Sequence, residues 1–495
     1  MEVIRCGTKK RIISSSSCLS PRTPLVHSSQ RKSTQQRRNK ITRRSLSSDS
    51  ASELLANDQS QVTVPSGHLP PLSIMPAPIL LRSLMITQIL ASPRLLSACM
   101  PLMKIMSSSK SFMLNPDRNP LLHTLMRKFL YDHFCAGENG KEVEQAVSQM
   151  RALGYKGVIL GYAKEVEPSL LAEAANGSST IDPIIEDWRV GNMRTLEMIS
   201  DSDFLAIKFT GAGPAVIEAL KSGAPMPEQM AAAMKEICDA AAARDTRLWI
   251  DAENQKYQAT IDAWTVELMR TYNSRTDGKV PIYNTYQTYL KHTPTVILEH
   301  LKLASKEGWG LGLKLVRGAY IASEPRHLIH DTKEDTDAAF DACTDALLAQ
   351  RFPSFDSAET GAPFPPVELF LATHNEDSVK KACQTQHRRV LASQPLTHLG
   401  YGQLQGMADD ISCELLQMCR DDPTCSTERK VAMQESLRNA LKPNAFKYSS
   451  WGTVQECMQY LLRRAVENQG AIGRTKQWAA AFRGELWRRM TTLGR

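Results

Sequence analysis

The sequence predicts an α/β fold in which eight parallel strands close into a TIM-type (βα)8 barrel. From about residue 155 onward, short β-rich apolar segments alternate with longer helical stretches, as in βα units of a parallel sheet. Eight strands, most of them followed by helices, favour a closed barrel. A doubly wound open sheet is the alternative, because the pattern does not show closure. The segments are GVILGY (157–162), FLAIKFT (204–210), RLWIDAE (247–253), VPIYNTY (280–286), GLKLVRGAY (312–320), VELFLATHN (367–375), LTHLGYGQL (396–404) and FKYSSWG (446–452).

The first part of the 495-residue chain is strongly basic, whereas the rest is not. Residues 1–48 hold twelve Lys and Arg and one acid, and the remainder holds 48 Lys and Arg against 51 acids. The body therefore lacks the basic footprint of a nucleic-acid-binding protein. Residues 1–65 are rich in Ser, Gln and Arg and show no sustained periodicity. We expect a mitochondrial presequence and a disordered segment here, and a basic tail without a targeting role is the alternative.

An apolar segment follows, which predicts an N-terminal helical region. Arg82, Arg94 and Lys104 divide the stretch from Leu69 to Met106 into uncharged runs, each shorter than the roughly 18–20 residues that span a bilayer. Short helices packed on a core are the simpler interpretation, and contact with a membrane surface is the alternative. The expected domains are the presequence and disordered segment (1–65), a helical arm (66–150), the barrel (151–480) and a C-terminal tail (481–495).

Polar side chains gather at the predicted C-terminal ends of the strands. In a (βα)8 barrel these ends face one opening, where the βα loops hold catalytic and binding groups. A polar residue at the end of a single strand is common and indicates no site. Ionisable or amide groups at the ends of most strands, however, predict a shared polar site. These residues are Lys208, Asp251, Glu253, Asn284, Arg317, Tyr320, Thr373, His374, Asn375 and Tyr448.

Other motifs point to less specific chemistry. TGAGPAV follows the second strand, but Val216 occupies the third glycine position of a dinucleotide-binding turn, so a plain βα turn is favoured. The eleven cysteines form no CxxC pair, which indicates reduced, mostly structural thiols, and we expect no metal. Lys208 and Lys314 also admit a Schiff-base lysine, and therefore an aldolase.

The C-terminal helix carries YLLRRAVEN, in which Arg463 and Glu467 are spaced i,i+4 and Arg464 and Glu467 i,i+3. An exposed ion-pair face is one interpretation. If the helix lies over the barrel opening, the two guanidinium groups could instead converge on one carboxylate. The spacing alone leaves both interpretations open.

Six motifs occur in a fixed order: IDAEN, YNTYQTYL, KLVRGAY, LATHN, GQLQGM and RRAVEN, with FCAGE near Glu138 before them. From about Leu114 to Asn468 the chain strongly resembles the proline dehydrogenase (proline oxidase) family of flavoenzymes. The resemblance implies a distorted (βα)8 barrel that binds FAD and oxidises L-proline to 1-pyrroline-5-carboxylate by hydride transfer to flavin N5. It also implies ubiquinone as electron acceptor, in the first step of proline catabolism to glutamate. A hydroxyproline dehydrogenase of the same fold and a catalytically inactive scaffold are the alternatives.

The resemblance further implies roles for individual residues. Asp251 matches the family's catalytic aspartate, and Lys314 matches the basic residue beside flavin N5. Many bacterial members have Arg and Lys where this chain has Lys314 and Arg317. Substrate binding is expected from Lys208, Tyr320, Tyr448, Arg463, Arg464 and Glu467. Cofactor binding is expected from Ala252, Asn284, Arg317, Gly318, Ala319, Thr373, His374 and Asn375.

Substrate preference and location follow from the same comparison. A bulky phenol at Tyr448 would crowd a substituted ring, which favours proline over hydroxyproline. A basic presequence, the lack of a spanning segment and a quinone acceptor imply peripheral association with the matrix side of the mitochondrial inner membrane. The expected partners are L-proline and ubiquinone, and no nucleic acid.

Overall fold

A closed barrel of eight parallel strands forms the centre of the computed structural model. The structure describes residues 69–163, 181–274, 279–419, 440–470 and 472–492, without the side chains of residues 93, 466–470, 472 and 474. The last strand pairs with both the first and the seventh strand of the barrel, so the sheet closes. Closure confirms the predicted (βα)8 barrel and excludes the open sheet. The barrel strands are β2 (Gly157–Tyr162), β3 (Phe204–Ile207), β4 (Arg247–Ile250), β5 (Ile282–Gln287), β6 (Leu311–Val316), β7 (Val367–Ala372), β8 (His398–Leu404) and β9 (Asn444–Trp451).

One further strand was not predicted. Strand β1 (Cys135–Gly137) is short and runs parallel to the end of β9, where its residues pair with Ser450 and Trp451. Three residues are too few to produce a recognisable alternation of apolar and polar side chains. The strand therefore leaves no signal in the sequence.

Helices connect the strands and surround the barrel. Several begin at asparagines that directly follow a strand or its loop: Asn254 accepts a hydrogen bond from Lys256 N, and Asn375 accepts one from Ser378 N. Polar residues at strand ends therefore also act as helix caps. The longer α-helices of the described residues are α1 (Ala77–Leu90), α2 (Pro93–Ser108), α3 (Pro120–Met126), α4 (Gly140–Leu153), α5 (Pro183–Glu197), α6 (Pro214–Ser222), α7 (Glu228–Ala243), α8 (Gln255–Tyr272), α9 (Thr293–Glu307), α10 (Lys333–Leu348), α11 (Glu376–Leu391), α12 (Asp409–Cys419), α13 (Val454–Gly470) and α14 (Ile472–Thr492). Two short α-helices, Asp132–Phe134 and Ser357–Thr360, are not numbered.

Aromatic rings fill the middle of the barrel. The ring of Phe204 lies 5.2–5.4 Å, between centroids, from four other rings that include Trp249 and Phe370. At the N-terminal end, the Glu368 carboxylate accepts a hydrogen bond from the Tyr283 hydroxyl and lies 3.6 Å from the Arg247 guanidinium. Side chains thus fill the interior of the barrel at these levels, and in such a barrel the sites for ligands lie at the C-terminal end of the strands.

The N-terminal helices pack against the two C-terminal helices. Helix α1 contacts α14, and α2 contacts α13. Residues 481–492, which we expected to form a tail, belong to α14. Among the described residues, no single helix is long and apolar enough to cross a membrane, although α1 and α2 pass that test jointly across a 95° bend.

Candidate active site

Alternation along the strands brings four predicted site residues to one opening of the barrel. Trp249 and Phe446 point into the barrel, so Asp251 and Tyr448, two residues further on, share their orientation. Lys314 points inward as well, because its ammonium group lies over the Trp249 ring. By the same alternation Lys208 follows the inward Ala206. We call the opening formed by Lys208, Asp251, Lys314 and Tyr448 the mouth.

A buried ion pair spans the mouth. The Lys314 ammonium donates a hydrogen bond of 2.5 Å to the Asp251 carboxylate, and it lies 4.1 Å from the centroid of the Trp249 ring. The side chains of Lys314 and Asp251 are only 10% and 14% exposed. Burial lowers the pKa of Lys314, the Asp251 carboxylate opposes this shift, and the nearby charge of Lys208 reinforces it.

Tyr448 forms a fixed aromatic wall above this pair. Its ring is parallel to that of Trp249 at 6.5 Å and lies 6.4 Å from the Tyr460 ring on α13. A Cβ atom at Gly161 would lie 2.6 Å from the Tyr448 hydroxyl, so this hydroxyl needs a glycine beside it. Burial raises the pKa of Tyr448, with Asp251 adding to the shift. The phenol is therefore neutral at physiological pH.

A second carboxylate lies next to Lys208. Glu253 is buried, and it accepts hydrogen bonds from both the amide and the hydroxyl of Thr210. Burial raises the pKa of Glu253, which the hydrogen bonds from Thr210 and the charge of Lys208 oppose. The strand ends thus carry two cationic side chains, Lys208 and Lys314, and two acidic ones, Asp251 and Glu253. The arginines of α13 add to this set.

Helix α13 lies over the mouth. Tyr460 contacts the Tyr448 ring, and the Arg464 guanidinium lies 5.0 Å from the centroid of the Tyr460 ring. The charge of Arg464 also acts on Tyr448, whose pKa it lowers slightly against the effect of burial. The neighbouring Arg463 is half-buried on the same helix. The side chain of Glu467 lies outside the part of the chain that the structure describes.

The loop after β6, residues 317–325, is fastened across the mouth to the start of α8. Glu324 accepts a hydrogen bond of 2.8 Å from Gln255 N, and Asn254 donates one of 3.2 Å to the Ser323 hydroxyl. Gly318 lies so close to the Tyr289 ring that a Cβ atom there would overlap it at 2.1 Å. These contacts hold the half-buried Tyr320, together with Gly318 and Ala319, beside the loop that contains Ala252.

Arg317 is committed to a network at the ends of β6 and β7. Its guanidinium donates to Asp337 at 2.6 Å, to the Thr373 hydroxyl at 2.8 Å and to the Ser378 hydroxyl at 2.9 Å. Despite partial burial, hydrogen bonds from Lys333 and Arg317 lower the pKa of Asp337. Arg317 therefore joins the two strand ends through protein contacts.

Residues of the LATHN motif form hydrogen bonds with the backbone around them. The Thr373 carbonyl accepts a hydrogen bond from the Gln403 amide, while the His374 Nε2 accepts one from Leu404 N at 3.1 Å. Because it accepts at Nε2, a neutral His374 carries its proton on Nδ1. Asn375 caps α11 through its side-chain oxygen. These contacts bring the predicted residues to the same rim, where they hold one another in position.

Asn284 is not brought to the mouth. Its side chain is fully buried between β5 and α8, where it donates a hydrogen bond of 2.8 Å to Asp262. The strand alternation turns Tyr283 and Thr285 inward and Asn284 outward. Gln287 shares the inward orientation, and its amide donates to the Glu253 carbonyl at 3.0 Å. The sequence reasoning missed Gln287, which counting alternate positions from Tyr283 could have identified.

Two aromatic residues of the mouth were also missed. Trp249 and Tyr460 flank Tyr448 on either side, but in the sequence they occupy ordinary apolar positions of a strand and a helix. No group of three or more His, Cys, Asp or Glu residues suited to a metal ion occurs in the described ranges.

A closed parallel barrel with charged and aromatic side chains at the C-terminal strand ends defines a (βα)8-barrel enzyme. The profile of the family described as proline dehydrogenase matches residues 143–477. The chain therefore belongs to the proline dehydrogenase family, as the six ordered motifs predicted.

Individual relatives agree with this assignment. A probable mitochondrial proline dehydrogenase of Schizosaccharomyces pombe is 30% identical over 434 residues, which cover 77% of this chain and 82% of the relative. Mitochondrial proline dehydrogenase 1 of Homo sapiens is 33% identical over 255 residues, which cover 50% of this chain and 36% of the human protein. A hydroxyproline dehydrogenase of Mus musculus is 26% identical, with 75% of this chain and 83% of the relative covered.

The fold has a counterpart among solved structures. Proline utilization A from Bdellovibrio bacteriovorus, inactivated by N-propargylglycine, superimposes with a TM-score of 0.55 at 14% sequence identity. The match covers 87% of this chain and 42% of that protein, so this chain spans less than half of its length. At this identity the likeness concerns the fold alone.

Proposed function

We propose that this chain oxidises L-proline to 1-pyrroline-5-carboxylate with FAD as cofactor and passes the electrons to ubiquinone. The observation that carries the proposal is the convergence of Lys314, Asp251 and Tyr448 at the mouth of a barrel of this family. The mouth combines cationic groups for a carboxylate with aromatic surfaces for an apolar ring. This combination suits a small cyclic amino acid, which has both a carboxylate and an apolar ring.

The side chains at the mouth fit a flavin. A flavin ring needs polar partners along one edge and a positive group near the part that becomes negative on reduction. Gln287 offers an amide on the inner face, and Lys314 offers a buried cation. The Glu324 Oε2 atom is buried and has no hydrogen-bond partner among the described atoms, which leaves an acceptor for a ligand under the β6 loop. When bound, FAD would accept the hydride from the proline carbon next to nitrogen at flavin N5.

The remaining proposed cofactor contacts lie on the same rim. Ala252, Gly318 and Ala319 would contact FAD through the two loops that Glu324 joins. Arg317, Thr373, His374 and Asn375 would border its phosphate or adenosine part, with Arg317 holding the rim together. For Asn284 we retain only an indirect role through β5, because its side chain bonds to Asp262.

Lys208, Arg463 and Arg464 would orient the proline carboxylate. Placing the reacting carbon at a fixed position accounts for much of the catalysis in such a reaction, since no nucleophile is needed. Asp251 holds the Lys314 ammonium in position through their ion pair. Tyr448 would form the wall of the ring pocket, with Tyr320 and Glu467 completing it.

Tyr448 supports proline over hydroxyproline. Its ring lies between Trp249 and Tyr460, and its hydroxyl lies against Gly161, so a hydroxyl on the substrate ring could not displace it without repacking. Clashes of this kind discriminate between substrates by their unfavourable contacts. Hydroxyproline remains the second candidate because relatives of that activity match most of the chain.

For location, we propose the matrix side of the mitochondrial inner membrane, with peripheral association. A mitochondrial location is supported by the names of the relatives, which are called mitochondrial proline dehydrogenases. The predicted presequence at residues 1–65 lies outside the described residues. The boundaries of the presequence, the helical arm and the barrel also stay proposals, whereas residues 481–492 of the expected tail belong to α14.

An anaerobic absorption spectrum tests the proposed reaction. The purified protein should show a flavin band that L-proline bleaches and that hydroxyproline bleaches much more slowly. A band bleached only by hydroxyproline would move the activity to the second candidate. A colourless protein that cannot be reconstituted with FAD would contradict the redox function and favour the aldolase or the scaffold.

A further inference from the structure

Exposed apolar side chains are concentrated on the helices that precede the barrel. On α1, Leu81, Met85 and Ile89 are 52%, 46% and 43% exposed, and their spacing of four places them on one face. On α2, Leu102 and Ile105 are 51% and 52% exposed. Single exposed apolar residues are normal in soluble proteins, but a run of them along one face indicates a contact.

These helices have separate inward faces that already bury apolar residues. Leu80 and Ile86 of α1 and Leu96 and Met106 of α2 are at most 4% exposed. The outward residues are therefore not used for packing against the part of the chain that the structure describes. Polar residues at those positions would satisfy the fold equally well, as they do on most surface helices.

Helix α14, which adjoins α1, also carries an exposed apolar side chain. It packs against α1, and its Arg489 guanidinium donates to the carbonyls of Leu72, Ser73 and Met75 just before α1 begins. Trp487 is 67% exposed on this helix. We call the exposed apolar faces of α1, α2 and α14 the arm surface.

The charge of the arm indicates what covers this surface. Residues 69–116 contain four cationic side chains and no Asp or Glu. Arg94, Lys104 and Lys110 are exposed, and none forms an ion pair with a described residue. Cations flanking an apolar helical face are the pattern that binds anionic lipid headgroups while the apolar side chains enter the acyl layer.

The helix lengths favour docking in the plane of the membrane. At 1.5 Å per residue, helices α1 and α2, with 14 and 16 residues, are roughly 21 and 24 Å long, less than the hydrocarbon thickness of about 30 Å. The 95° bend between them excludes a single straight span. Both helices can instead lie against the surface, each with one face on the protein and the other on lipid.

We infer that the arm surface is a membrane-docking face that binds an anionic lipid bilayer in the interfacial plane. The inference deepens the peripheral association in the proposed function by assigning it to a surface. Docking through α1, α2 and α14 holds the adjoining α13, which covers the mouth, close to the bilayer. Lipid-dissolved acceptors are then available near the site.

Vesicle flotation tests this assignment with the full chain. Wild-type protein should float with phosphatidylcholine vesicles that contain cardiolipin and much less with phosphatidylcholine alone. The double variant Leu102→Ser/Ile105→Ser should lose vesicle binding by at least roughly tenfold, because two half-exposed side chains no longer enter the lipid. The matched control Leu391→Ser/Leu396→Ser changes two exposed apolar residues outside the arm surface and should bind as wild type.

A charge variant and two further measurements make the result decisive. Arg94→Glu/Lys104→Glu should bind cardiolipin vesicles at least several-fold more weakly and leave proline oxidation with a soluble dye unchanged. Flotation of Leu102→Ser/Ile105→Ser at the wild-type level would overturn the inference. A wild-type dimer that this variant converts to a monomer, with no flotation of either, would assign the surface to a second copy of the chain instead. Wild-type protein that floats with the vesicles but does not oxidise proline with a soluble dye would refute the proposed reaction and leave the docking face standing.

Discussion

The ion pair of Lys314 and Asp251 gives a quantitative prediction. Replacing Asp251→Asn keeps the size of the side chain but removes the negative charge 2.5 Å from the Lys314 ammonium. At an effective dielectric constant of about 20, that attraction is about 7 kcal/mol before the cost of dehydration. Leaving one partner of such a buried pair without its counter-charge destabilises a protein by about 3–5 kcal/mol. We expect a loss of that size at pH 7.

The loss should depend on pH in a defined direction. Burial lowers the pKa of Lys314 below its ordinary 10.5, so the folded protein binds fewer protons than the unfolded chain in the range just below that value. Stability then rises with pH in this range, because deprotonation removes the buried charge. Without Asp251 the pKa falls further. The destabilisation by Asp251→Asn should therefore be smaller at pH 9.5 than at pH 7.

The assay is a denaturant titration of four proteins: wild type, Asp251→Asn, Lys314→Met and the double variant. If the two side chains form one buried pair, the double variant should be more stable than the sum of the single losses predicts, by about 1–3 kcal/mol. Additive losses, or equal losses for Asp251→Asn at both pH values, would refute this reasoning. The kcat of both single variants should also fall.

Three further predictions concern other contacts. Gly161→Ala should lower kcat/KM for proline at least roughly tenfold, because its Cβ would lie 2.6 Å from the Tyr448 hydroxyl; adding Tyr448→Phe should restore part of the loss, and no rescue would contradict the clash. Burial lowers the pKa of His133 and of His300 to about 4. Protonation of each should therefore lower the free energy of unfolding by about 2 kcal/mol between pH 7 and pH 5. In denaturant titrations at these two pH values, His300→Gln should show a pH-dependent loss that is smaller than the wild-type loss by about 2 kcal/mol. Glu324→Ala should raise the KM for proline and destabilise the chain by about 1–3 kcal/mol through the lost acceptor for Gln255 N; Glu324→Gln, which keeps an acceptor, should behave nearly as wild type.

The sequence predicted the barrel well because its signals are local. Each of the eight segments forms a strand, since buried parallel strands are short apolar runs that stop at polar residues. The predicted segments run beyond several strands: FLAIKFT continues into a 3-10 turn at Phe209–Ala212. That extension is expected, because polar residues after a strand belong to its loop.

Only part of the site could be predicted, because the direction of a strand side chain can be read from the sequence and the position of a helix cannot. Strand alternation was available in the sequence, and it separates the inward Gln287 from the outward Asn284, a distinction that the motif alone obscured. The position of α13 was not available, because it depends on contacts between residues far apart in the chain, such as Tyr448 and Tyr460. The spacing of Arg463 and Arg464 became meaningful only once that helix lay over the mouth.

For the N-terminal helices α1 and α2, the two interpretations drawn from the sequence are compatible with each other. Helices packed on a core and a membrane-facing surface were alternatives for residues 69–106. The structure shows the packing, with Leu80 and Leu96 buried, and leaves Leu81 and Leu95 exposed on the same two helices. An apolar helix with little amphipathic contrast can have both faces in use, which periodicity alone cannot distinguish.

The most direct test of the central claim is a crystal structure of the reduced protein with bound L-proline. We expect its carboxylate within hydrogen-bonding distance of Lys208 and Arg464, and its ring against Tyr448. The Lys314–Asp251 pair should remain intact beneath it. Proline bound away from the mouth, or a mouth in which its carboxylate contacts none of these cations, would contradict the account.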